Sequence, residues 1–190
     1  MQMGKKPSTK RIAAVMLVFV LVFGVTACGN NSGQSDSRQD ATEQIEELAE
    51  MAQKLTDGDL FFIETVEKYP AEYRGTTDQA KTEQNNDARP ELSSHVEKMD
   101  AYDTVILIYP NWWGTLPQPV FTFLEEYDFS GKTILPLCTH EGSRLGRSES
   151  DIASLCPGAR LLDGLSVRGA DAGSARTEVE EWISNSGILE

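Results

Sequence analysis

Short apolar runs alternate along this chain with segments whose apolar residues recur every three or four positions. Ile45, Leu48, Met51, Ala52 and Leu55 fall at helical spacing. They predict an amphipathic helix over residues 41–55, stopped by Asp57-Gly58. Residues 60–65 (LFFIET) read as a short strand and 67–73 as a loop through Tyr69-Pro70. Residues 76–87 read as a polar helix and 89–99 as a polar connector. Residues 104–109 (TVILIY) and 133–138 (TILPLC) are near-continuous apolar runs of the kind that suits strands covered on both faces. A helix over 118–127 lies between them, with Val120, Phe121, Phe123 and Leu124 inward. A helix at 148–155, a strand at 159–167 and an amphipathic helix at 172–184 complete the order. Strands alternating with helices predict a parallel sheet in a doubly wound α/β domain.

The start of the chain has a different pattern. Lys5, Lys6, Lys10 and Arg11 precede an apolar run over residues 12–23, which ends at Val25-Thr26-Ala27-Cys28. Cations followed by a short apolar run form an export leader; the run falls short of the roughly 20 residues of a comfortable membrane span. The last four residues resemble a bacterial lipobox, which makes residues 1–27 a lipoprotein signal peptide and Cys28 the lipidated residue. An ordinary signal peptide or an uncleaved anchor are the alternatives. Residues 29–39 (GNNSGQSDSRQ) carry no large apolar side chain and read as part of a flexible tether, residues 28–40. One domain, residues 41–190, follows.

Charge and cysteines narrow the partners. The chain carries 17 basic and 30 acidic residues, a net charge of −13; losing the four leader cations takes it to −17. That argues against nucleic acid and anionic lipid surfaces as partners. Cys138 and Cys156 could form a disulfide in an exported protein. Their places, at the end of an apolar strand and before Pro157-Gly158, favour two buried free thiols. No Cys or His falls at metal-ligand spacing.

The candidate chemistry lies where the run at 104–109 stops. Pro110, Asn111, Trp112, Trp113 and Gly114 follow it directly. Ligands in open α/β sheets bind outside the carboxyl ends of the strands. Two adjacent indoles there can wall a slot for a planar ligand, or they can be core packing. After the next strand come Thr139, His140, Gly142, Ser143 and Gly146. His140 can shape its loop or act as a proton donor.

With these residues in place, the chain resembles the flavodoxin-like family, in particular its exported, lipid-anchored bacterial branch, over residues 41–183. The matching positions are 59–61, Tyr69-Pro70, 88–90, 103–109, the Tyr-Pro-x-Trp-Trp-Gly loop, 129–132 and the Thr-His-x-Gly-Ser-x-x-Gly loop at 139–146. The resemblance implies a flavodoxin-like three-layer α/β fold with FMN between the two loops. Trp112 and Trp113 would form one wall, and Thr139, His140, Gly142 and Ser143 the other. Backbone groups of Asn111 and Gly114 would face the polar edge of the ring. Gly114, Gly142 and Gly146 would let the backbone approach it. Electron transfer, or reduction of a quinone or flavin-type acceptor, is the implied activity, at the cell envelope and near a membrane through the lipid.

One family feature has no counterpart. A flavodoxin-like fold opens with a strand and a Ser/Thr-x-Thr-Gly-x-Thr loop whose N–H groups bind the FMN phosphate. No apolar run stands between Gly29 and Ile45. The sheet is therefore expected to be one strand short, closed up or completed by a strand from another chain. A flavin-free binding module, or a domain without activity, is the alternative to a flavoprotein.

Overall fold

The computed structural model of the chain describes residues 15–20 and 36–189. Its elements run β1 (Val15–Val20), α1 (Asp36–Thr56), β2 (Asp59–Ile63), α2 (Tyr73–Asn85), β3 (Thr104–Pro110), α3 (Gln118–Glu126), β4 (Thr133–His140), α4 (Ser148–Leu155), β5 (Arg160–Leu161), β6 (Leu165–Arg168) and α5 (Arg176–Ser186). All ladders are parallel, in the order β2-β1-β3-β4-β5, with β6 also on β4.

The expectation of a missing strand is not met. Val15–Val20 lies between β2 and β3, with Leu17 opposite both Leu60 and Ile106. The segment read as the apolar core of a leader occupies the middle of the sheet. A buried parallel strand and a leader core are both uninterrupted apolar runs, so periodicity does not separate them. The tether region splits. Residues 36–40 are the first turns of α1, and residues 21–35 lie outside the described residues, as does Cys28.

Alternation along β3 distributes the core. Val105, Leu107 and Tyr109 face one layer, with Phe123, Leu124, Ile134 and Ile152. Ile106 and Ile108 face the other, with Leu48, Ala52, Val179 and Ile183 of α1 and α5. This period of two, with both faces covered by helices, is the three-layer α/β arrangement the sequence predicts.

The strand expected at 159–167 is broken in two. Leu161 pairs with Ile134 and Leu165 with Leu137, so residues 162–164 face only Leu135 and Pro136. Pro136 has no N–H to give a partner. Gly164 fits beside it, since a Cβ there would lie 2.9 Å from Pro136 Cγ. Cys138 and Cys156 are buried free thiols, as favoured from their positions.

Candidate functional site

Beyond the carboxyl end of β3 the chain makes a tight reversal. Trp112 and Thr115 exchange backbone hydrogen bonds of 2.9 and 3.2 Å, leaving Trp113 and Gly114 as the two central residues. Both have positive φ, 53° and 86°. That is the primed two-residue hairpin turn, which Gly114 suits and Trp113 does not. Neighbours hold Trp113 in place. Its indole N–H donates to Thr77 O of α2 at 3.0 Å, and Gln84 donates to its carbonyl at 3.3 Å. Lys81 Nζ sits 4.9 Å from its ring centre.

Trp112 takes a different role. It packs against the core layer of α3 and meets Tyr69 edge-on, with ring centres 5.3 Å apart. Tyr69 is itself buried, and its hydroxyl donates to Glu83 at 2.6 Å. Burial pushes its pKa up, reinforced by that carboxylate.

The second loop is clasped to the first. Asn111 N–H donates to Thr139 O at 2.8 Å, and its side chain donates to Arg144 O and accepts from Gly114 N–H, both at 2.8 Å. Arg147 N–H donates to Gly114 O at 2.9 Å. Gly146 lies under this turn, and a Cβ there would sit 2.2 Å from Gly114 O. Asp151 fastens the clasp from α4, accepting from the Thr115 hydroxyl and, at 3.1 Å, from Arg147 Nε. Below, the buried Tyr109 hydroxyl pairs with Ser148 at 2.6 Å; burial raises its pKa.

Between the loops, α1 and α2 lies a cavity of about 560 Å³. That is within the usual range for small-molecule sites. Of the predicted residues, Pro110, Asn111, Trp112, Trp113, Gly114, Thr139, His140 and Ser143 line it. Gly142 and Gly146 do not. Gly142 donates its N–H to His140 Nδ1 at 2.9 Å, and Gly146 is needed for the approach to Gly114 rather than to a ligand. Most of the backbone groups of Asn111 and Gly114 that the resemblance sets at a ring edge have partners within the loops. Asn111 N–H and both backbone groups of Gly114 are spent within the clasp.

Sequence reasoning missed the walls supplied by helices. Thr42, Gln44 and Ile45 of α1, Tyr73, Thr76, Thr77 and Ala80 of α2, and Glu141 also line the cavity. Thr76 and Ala80, four apart and both buried, were the available signal in an otherwise polar helix.

The chemistry of this lining suits a flat, partly polar ligand. His140 Nδ1 is an acceptor, so the neutral ring carries its proton on Nε2 as a donor. The Thr139 residue is buried, and its hydroxyl has no hydrogen-bond partner among the described residues. Among the described residues there is no cluster of three metal-ligating side chains, and no helix is long and apolar enough to cross a membrane.

Residues 37–186, well over half of the chain, match the flavodoxin family. The chain belongs to the flavodoxin family. Solved structures agree on the fold. An inferred flavoprotein from Bacteroides uniformis superposes with a TM-score of 0.70 at 23% identity, covering 90% of this chain and 98% of its own. A flavoprotein in complex with FMN from Lactobacillus acidophilus gives 0.59 at 18%, covering 90% and 99%. A flavodoxin bound to flavin mononucleotide from Fusobacterium nucleatum gives 0.52 at 12%, covering 92% and 96%. No curated protein matches. The flavodoxin-family match begins one residue into α1, so β1 lies before it.

Proposed function

We propose that this flavodoxin-family protein holds the isoalloxazine ring of FMN in the cavity between the two loops and passes electrons between a donor and a quinone or another acceptor. The observation that carries the reading is the cavity itself. It lies at the carboxyl ends of β3 and β4, is walled by Trp112 and Trp113, and offers the His140 ring and a Thr139 hydroxyl with no partner among the described residues. The FMN-bound relatives support it. A bound flavin supplies the redox chemistry; the chain binds, orients and shields it. The two indoles give apolar, stacking surface. The His140 Nε2–H and the Thr139 hydroxyl are among the polar groups that could meet a ring edge.

Titration of FMN into the purified chain tests this. The expected result is saturable quenching of tryptophan fluorescence and a yellow complex. A colourless protein that ignores added FMN would sink it. A second reading, a flavin-free binding module, draws on Asn111 N–H and both backbone groups of Gly114, which are engaged between the loops and leave more of the recognition to side chains. That failed titration is what the second reading expects.

The envelope setting and lipid anchor form a finer part of the proposal and rest on the order of residues 5–28. Cell fractionation of Cys28→Ala checks them. The substitution should block processing or release the chain from membranes. Equal retention with unchanged gel mobility would count against an anchor.

A further inference from the structure

One segment carries two roles that exclude each other. Residues 12–23 have the composition of a leader core, and residues 15–20 of that run are β1. Cleavage between Ala27 and Cys28 would remove the whole strand. The ladder shows what is lost. Five residues of β2 pair with β1, and among the described residues β1 is its only strand partner. β3 pairs with β1 on one side and β4 on the other. Without β1, the N–H and C=O groups of β2 and of one side of β3 have no ladder, and buried backbone groups left unpaired are costly. No replacement is at hand downstream, because residues 29–39 hold no large apolar side chain. The flavodoxin-family match starts at residue 37, so the strand comes from outside the part of the chain that carries the family pattern.

We propose that the gap between β2 and β3 is a strand-acceptor site whose occupant is this chain's own segment 15–20. In any one molecule that segment is either the central strand or the core of an export leader. Docking of β1 withdraws the leader from the export machinery, and processing at Cys28 opens the sheet. Parallel pairing to both neighbours fixes the register, with Leu17 between Leu60 and Ile106. Charge does not drive the docking, since residues 12–23 carry no Asp, Glu, Lys or Arg; the apolar composition of the segment favours it.

Hydrogen exchange on the full chain tests the docking without reference to flavin. Amides of residues 15–20 should exchange at least about 100-fold more slowly than in a free peptide, alongside those of β3. Free-peptide exchange at 15–20 with β3 still protected would overturn the proposal. A second experiment places a protease site within residues 29–35 of the full chain and cuts it. The amino-terminal fragment should stay with the body through gel filtration and leave only in denaturant. Should it leave in buffer with the exchange protection of residues 59–63 unchanged, the gap is not an acceptor. A chain of residues 28–190 gives the third reading. Protection at 59–63 should be lost, and protection equal to that of the full chain would overturn the proposal. Failure to bind FMN would leave all three readouts unmoved, so the FMN reading and the docking are tested separately; the FMN cavity described above belongs to the chain that keeps β1, and the lipid-anchored form is the processed one.

Discussion

Single atoms decide much of this site. Gly146 is the sharpest case: a Cβ would sit 2.2 Å from Gly114 O, and the residue has a φ of 57°. Gly146→Ala should cost about 1–3 kcal/mol of stability, from backbone strain and a forced shift of the turn. Thermal unfolding measures that cost, and a melting temperature within error of the parent would show that the clasp yields freely. The two thiols make a pH prediction. Burial pushes the Cys138 thiol up to about 12 and the Cys156 thiol up to about 11, from an ordinary value of 9.0. The folded chain therefore keeps protons that the unfolded chain releases. Stability from this source is intact below pH 9 and falls as pH rises from there towards 11 and 12. Denaturant melts across that range should show the decline, and Cys138→Ala should reduce its slope.

At the level of elements, the two loops behave as one unit that α4 holds shut. Asp151 accepts from Thr115 and Arg147, one residue from each loop's far end. Asp151→Ala removes both, at about 1–3 kcal/mol for the groups left unpaired. It should weaken flavin binding while leaving the core packed. The readout is FMN affinity set against melting temperature; a loss of stability with unchanged affinity would place Asp151 outside the site's support. Replacing Trp112 and Trp113 together by Ala should lower FMN affinity by about 1–3 kcal/mol through lost apolar area and stacking. Calorimetry decides this, and unchanged affinity would make the indoles packing residues. Much of this unit was legible in the sequence. β3, β4 and α3 announced themselves because strands buried on both faces have no polar positions, and the loops followed from where those runs stop. The α2 wall was not legible. It holds Trp113 through a backbone carbonyl at Thr77 and a lysine over the ring, neither of which leaves a periodic trace. The break between β5 and β6 had a trace in Pro136, whose effect falls on the neighbouring strand and not on its own. β1 is visible as an apolar run that also has the composition of a leader core, because the two uses need the same residues.

The whole molecule is acidic, and its charge bears on which flavin it prefers. An FMN phosphate is a dianion at neutral pH, so a net charge of −13 opposes its approach. Locally, α1 borders the cavity through Thr42, Gln44 and Ile45, and its sequence places Glu43, Glu46 and Glu47 on the same turns. Glu141 also lines the cavity, with its carboxylate close to Gln44 of α1. No Lys or Arg is among the described lining residues. In a site built for phosphate, charge-assisted hydrogen bonds contribute roughly 1.5–3 kcal/mol each, which gives FMN a large advantage over riboflavin. Here the described lining supplies ring contacts and acidic groups, so the phosphate should add little. FMN and riboflavin should bind within about tenfold of each other, or about 1.4 kcal/mol. Salt separates the causes. Raising ionic strength from about 0.05 to about 0.5 M screens the repulsion, so FMN affinity should rise while riboflavin affinity stays level. Competition titrations of the two flavins at both salt concentrations read out the pattern. A thousandfold preference for FMN that weakens with salt would instead place a phosphate site in the segment joining β1 to α1, around Asn31, Ser32 and Ser35.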